Sequence, residues 1–110
     1  MSEIKKLYEN AGVEKKWKPL PYGDIEEFYP PFTAEKQLEL IKWLIQKNFY
    51  DERIIRSNYE KTSFYCSYLD DYCESEEFEK FEEALANVFN YFWQDLTDTE
   101  KEQIKEILNG

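Results

Sequence analysis

Five large apolar residues, Phe78, Phe81, Leu85, Val88 and Phe92, follow one another at steps of 3, 4, 3 and 4. An α-helix returns to one face about every 3.6 residues. The spacing therefore predicts a long amphipathic helix over about 75–94, with Ala84, Phe89 and Trp93 flanking the seam. Thr97 followed by Glu100 is a capping box, in which the hydroxyl and the carboxylate each satisfy a free backbone N–H. It predicts a last helix with Ile104, Ile107 and Leu108 on its buried face. A helical pair joined at 95–97 is the expectation for this end of the chain.

The first half carries two further helix signals. Ser2 can cap a short helix through about Asn10, with Ile4, Leu7, Tyr8 and Ala11 on one face and Gly12 in the left-handed position that ends it. Thr33 caps the next, expected to run to about Lys47 with Leu38, Ile41, Leu44 and Ile45 as its buried stripe and Leu40 and Trp43 widening it. Between them, Pro19, Pro21, Pro30 and Pro31 push their preceding residues away from helix. Residues 13–32 read as an extended connector, held onto the domain by Trp17, Leu20, Tyr22, Ile25, Phe28 and Tyr29. The stretch 49–73 is β-prone at 53–55 and 62–69, which fits a short hairpin or a two- to three-stranded sheet; a third long helix is the alternative, since ring-rich runs are ambiguous by period. The fold class expected is mostly α with a small β element (α+β); an all-α four-helix arrangement is the alternative. At 110 residues the chain is expected to be a single domain.

Charge narrows the partners. Residues 1–55 hold nine Lys/Arg against ten Asp/Glu, whereas residues 56–110 hold five against fourteen. Direct binding to nucleic acid or to an anionic membrane needs basic surface, so neither is expected, and a basic protein surface is the natural counterpart. Aromatic residues make up 18 % of the chain, more rings than a core of this size easily hides. They form either a Tyr-rich core with its tips in water or a ring-rich binding face. A homodimer that covers the excess rings is a further expectation. No apolar run approaches the roughly 20 residues of a membrane span, and the start of the chain lacks the apolar core of a signal peptide. A cytoplasmic location follows, in which Cys66 and Cys73, seven apart and matching no redox motif, are expected as free thiols.

Catalysis finds little to stand on. The chain has no His and only three Gly, so imidazole chemistry and a phosphate-cradling loop are both ruled out. No metal and no cofactor are expected, and the protein reads as a binder, not an enzyme. The positive feature is the run from Asp70 to Glu83, in which eight of fourteen residues are acidic and Lys80 alone is basic. One reading is a solvated helix start, where the macrodipole favours carboxylates. The other is an imitation of nucleic-acid phosphates along a rigid helix. On that reading Asp70, Asp71, Glu74, Glu76, Glu77 and Glu79 supply the charge, and Tyr65, Tyr68 and Tyr72 supply rings that stand in for bases.

Three stretches carry a resemblance. They are Tyr29-Pro-Pro-Phe-Thr-Ala-Glu-Lys-Gln-Leu-Glu-Leu-Ile-Lys-Trp-Leu44, Glu83-Ala-Leu-Ala-Asn87, and the run from Phe92-Trp93-Gln94-Asp95 through Thr97-Asp98-Thr99-Glu100 to Ile107-Leu108. With Leu7-Tyr8-Glu9-Asn10-Ala11-Gly12 they cover a little over a third of the chain, which resembles small prophage proteins of Gram-positive bacteria. The resemblance implies a phage-encoded accessory protein acting in the bacterial host cell, and no catalytic residues to carry over. Residues 45–82, which hold most of the acidic run, lie outside it. The leading expectation is a phage-encoded inhibitor that binds a host nucleic-acid-handling defence protein, in the manner of an anti-CRISPR protein. An accessory or regulatory protein of phage replication is the second, and a sequestering binder of a small defence signal the third.

Overall fold

The computed structural model describes residues 2–47, 55–58, 61–68 and 71–110, with backbone and register alone at 55–58, 64–68 and 71–73. It is mostly α with a small β element, and its strands overturn the all-α alternative. In chain order come α1 (Glu3–Ala11), the hairpin β1 (Lys16–Pro19) and β2 (Ile25–Phe28), and α2 (Ala34–Gln46). A three-stranded antiparallel sheet follows in the order β3 (Ile55–Asn58), β4 (Lys61–Tyr68), β5 (Asp71–Glu74). The chain ends with α3 (Phe81–Phe92), a 3-10 turn at Trp93–Asp95 and α4 (Asp98–Asn109). Residues 53, 54 and 69, part of the β-prone stretches, lie outside the described residues.

The caps set most helix ends where the side chains can serve them. Ser2 Oγ accepts from the Lys5 N–H, and Gly12 sits at φ 72°, the left-handed conformation that only glycine adopts without cost. Thr33 Oγ accepts from the Lys36 N–H, and the Thr97–Glu100 box closes in both directions, at 3.2 and 2.9 Å.

The core gathers all four helices. Leu7 and Tyr8 of α1, Leu40, Trp43 and Leu44 of α2, Leu85, Val88, Phe89 and Phe92 of α3, and Ile104 and Leu108 of α4 are all buried. Trp43 and Phe89 lie 5.9 Å apart between ring centroids, and the Trp43 indole N–H donates to Gln103 Oε1 at 2.8 Å, tying α2 to α4. On α2 the buried stripe is Leu40, Trp43 and Leu44, whereas Leu38 and Ile45 are exposed and Ile41 is half-buried. The helix offers two overlapping apolar stripes, and the one that buries the Trp43 ring removes more apolar surface from water. The two last helices are joined at 93–97 much as expected; α3 packs chiefly on α1, and α4 packs across α1 and α2.

Two expected elements change character. Helix α3 starts at Phe81 and not near residue 75, because Phe78 is used by the sheet. The Thr62 N–H donates to Phe78 O at 2.6 Å and the Phe78 N–H donates to Thr62 O at 2.8 Å. Backbone groups engaged in that bridge cannot also enter a helical ladder. Residues 13–32 form a β-hairpin instead of a connector lying on the domain. Lys16 pairs with Phe28, Trp17 with Glu27, Lys18 with Glu26 and Pro19 with Ile25. Both strands are edges, so Pro19 removes no ladder bond that an interior strand would need. The intended anchors Trp17, Tyr22, Ile25 and Phe28 are exposed; the chain is held down beyond the strands, by Val13, Tyr29, Pro30 and Phe32. The radius of gyration, 15.1 Å, exceeds the roughly 13 Å of a compact chain of this length, in keeping with such an extension.

Tyr8 shows the cost of packing rings so tightly. It stacks on Tyr29 at 5.2 Å and meets Phe32 edge-on at 6.2 Å, and its hydroxyl is buried without a hydrogen-bond partner among the described residues. Burial pushes its pKa up to about 12. An unsatisfied buried hydroxyl costs about 1–3 kcal/mol, so Tyr8→Phe is expected to raise stability at pH 7 by about 1 kcal/mol. The folded state also holds this proton more tightly than the unfolded chain, where tyrosine titrates near pH 10. Stability therefore falls as pH rises from 10 towards 12, by about 1.4 kcal/mol per unit, and Tyr8→Phe should lose that slope. Urea unfolding of both proteins across this range measures both effects. A loss above about 1 kcal/mol in the variant at pH 7 would mean that the hydroxyl is satisfied.

Candidate functional site

The acidic run does not lie along one helix. Asp71 and Glu74 belong to β5, Glu76, Glu77 and Glu79 to the irregular connection 75–80, and Glu82 and Glu83 to the first turn of α3. Asp70 lies outside the described residues. A row of carboxylates on a rigid helix is thus replaced by a strand that runs into an irregular connection. The connection is itself anchored: Ser75 is buried with its Oγ donating to Glu76 O at 3.0 Å, and the Glu76 N–H donates to Asn87 Oδ1 at 3.1 Å. Together with the Thr62–Phe78 bridge, these contacts fix the backbone from which the carboxylates project.

Register divides the expected rings. Tyr65 lies opposite Glu74, Ser67 opposite Tyr72, and Tyr68 opposite Asp71. Directly opposed residues of an antiparallel pair share a face, and the faces alternate along each strand. Tyr65, Tyr72 and Glu74 therefore share one face of the sheet, and Tyr68 and Asp71 the other. The structure brings together a core of the expected site, Tyr65, Tyr72 and Glu74, which continues into the connection bearing Glu76, Glu77 and Glu79.

The acids are not equivalent. Glu74, Glu76, Glu77 and Glu79 are exposed. Among the described residues the ion pairs are Lys18–Glu26 and Lys42–Glu39, both at 3.4 Å, and none of the described lysines pairs with these four acids. Glu83, in contrast, serves the fold. Its carboxylate accepts from Ser2 Oγ at 2.8 Å and from the Glu3 N–H at 2.7 Å, at the positive end of the α1 dipole. Asn90 acts with it: its amide donates to Glu3 O at 2.9 Å and to Glu3 Oε2 at 2.8 Å, and its oxygen accepts from Asn10 at 3.0 Å. Sequence reasoning passed over this clasp. The signal available was the seven-residue interval from Glu83 to Asn90, two turns on one helix face.

Two other surfaces stand out. On the β1–β2 hairpin, Trp17, Pro19 and Ile25 share one face and are exposed. An open groove of about 990 Å³ borders α2 and the end of α4, walled by Pro30, Leu38, Trp43 and Ile107. Lys36 also lines it, with a pKa below the ordinary lysine value because of burial and then of the Lys16 charge. The groove is not lined by Glu74, Glu76, Glu77 or Glu79. No cluster of three or more metal-ligating side chains occurs among the described residues, and no helix among them is long and apolar enough to cross a membrane. Comparison with protein-family models, curated proteins and solved structures gives no match.

The clasp separates structural acids from free ones. Glu83→Ala should cost about 1–2 kcal/mol in urea unfolding, as loss of a helix cap does, whereas Glu77→Ala should change stability by less than about 0.5 kcal/mol. Equal losses would contradict the division.

Proposed function

We propose that the chain is a phage-encoded acidic protein that binds and inhibits a host nucleic-acid-handling defence protein, as an anti-CRISPR protein does. It would occlude a basic groove sterically and electrostatically, without turnover. The observation that carries this reading is the exposure of Glu74, Glu76, Glu77 and Glu79 along the end of β5 and the anchored connection that follows it, with no cationic side chain pairing them among the described residues. Unpaired carboxylates in water lose little when a basic partner arrives, and their summed field steers it. Tyr65 and Tyr72 share the face of Glu74 and would anchor the complex once formed. The phage origin rests on the resemblance to small prophage proteins, and the non-catalytic mode on the absence of histidine and of a glycine-rich loop from the sequence.

A second reading has its own observation. The exposed Trp17, Pro19 and Ile25 face of the hairpin suits a partner of apolar surface, which fits an accessory protein of phage replication that assembles with a phage component.

The test sets two charge reversals side by side in affinity capture from a bacterial lysate, read by mass spectrometry. One converts Glu74, Glu76, Glu77 and Glu79 to Lys; the other converts the exposed Glu9, Glu14, Glu102 and Glu106 to Lys, so the net charge matches. The first should lose a captured nucleic-acid-binding protein and the second retain it, with helical signal unchanged in both. With the purified partner, association should weaken as salt rises, because screening shortens the reach of the charges. A partner held equally by both reversed proteins would contradict the acidic surface and leave the hairpin as the interface.

A further inference from the structure

The chain contains two cysteines, and the register of the β4–β5 pair sets them directly opposite each other: Cys66 is the cross-strand partner of Cys73. We propose that Cys66 and Cys73 form a redox-closable pair, a site for an intramolecular cross-strand disulfide. Their spacing in sequence matches no redox motif, and it is the antiparallel pairing that makes neighbours of them. Opposed residues in such a pair share a face, with Cα atoms about 4.5 or about 5.5 Å apart according to whether the pair is hydrogen-bonded. Disulfides span Cα separations of roughly 4.4–6.8 Å, so either kind of pair suits the bond with little backbone movement. The pairing is local as well. Tyr68 is the partner of Asp71, so two residues alone connect the strands, and the cysteines lie two pairs along from that connection.

The chemistry is thiol–disulfide exchange with a low-molecular-weight disulfide. One cysteine thiolate attacks a sulfur of that disulfide, breaks its S–S bond and expels one small thiolate, leaving a mixed disulfide on the protein. The second cysteine thiolate attacks the protein sulfur of the mixed bond and expels the other small thiolate. Two protein thiols are oxidised, one small disulfide is reduced to two thiols, and the two protons end on the leaving thiolates. A reducing pool runs the same steps backwards. Closure would lock the hairpin that carries Tyr65, Tyr72 and Glu74, so redox state would set how firmly that part of the surface is held.

Equilibration of the folded protein with mixtures of reduced and oxidised glutathione tests this, with alkylation and mass spectrometry as readout. The wild type should become a monomer lighter by two hydrogens, with both cysteines resistant to alkylation and one peptide pair joined through Cys66 and Cys73. Cys66→Ser and Cys73→Ser should instead each retain a single glutathione adduct. The effective concentration of one thiol at the other should be about tenfold or more higher in native buffer than in guanidinium chloride, because the native register holds the pair together. Two retained glutathione adducts on the wild type, disulfides between molecules only, or an effective concentration no higher in the native state would each overturn the proposal.

Discussion

Helix α1 packs on α3, and side chains of α3 satisfy the polar groups at both ends of α1. Glu83 takes the Ser2 hydroxyl and the Glu3 N–H at one end; Asn90 bridges Glu3 and Asn10. A nine-residue helix is far too short to persist alone in water, so α1 exists because its apolar face is buried and its first turn is capped from outside. The other elements depend on this pairing. Leu7 and Tyr8 of α1 meet Leu85, Phe89 and Phe92 in one core, and Tyr8 receives Tyr29 and Phe32, which fix the chain as it leaves the hairpin and enters α2. Helix α4 then closes over α1 and α2.

The sheet competes with the helix for residues 75–80, and the sheet wins. The periodicity of Phe78 and Phe81 belongs to a helix, yet Phe78 spends its backbone groups on Thr62. A gain for the fold follows, since the bridge ties β4 to the segment entering α3. There is a consequence for function too. The carboxylates that a longer helix would have spread around its axis lie on a strand and an irregular connection, all but Glu82 and Glu83 outside the helix.

Elements with local signatures were legible in the sequence: the Ser2, Thr33 and Thr97 caps, the left-handed Gly12, and a small antiparallel sheet between helices. The errors arose where a local pattern was overruled at a distance. A 3-4-3-4 spacing carries no mark of the Thr62 bridge. Four prolines in residues 13–32 argued against helix and for extended chain but carried no sign of strand pairing, and an edge hairpin tolerates Pro19 at a strand end. On α2 two apolar stripes overlapped, and the partners that meet the inward-facing Trp43, Phe89 and Gln103, are distant in sequence. The candidate site was legible as composition but not as geometry. The count of acids and tyrosines stood in the sequence, whereas the separation of Tyr68 and Asp71 from Tyr65, Tyr72 and Glu74 follows from register, which no run of residues reveals by itself.

A helical body that carries an acidic edge at one place and an exposed apolar hairpin at another offers two surfaces of opposite chemistry. The central claim is that the acidic edge meets the partner. Hydrogen–deuterium exchange of the backbone amides, free and in complex with the captured protein, reads both surfaces in one experiment. The account predicts slowed exchange across residues 71–79 with the hairpin strands Lys16–Pro19 and Ile25–Phe28 unchanged. Protection confined to the hairpin, with residues 71–79 exchanging as in the free protein, would contradict it.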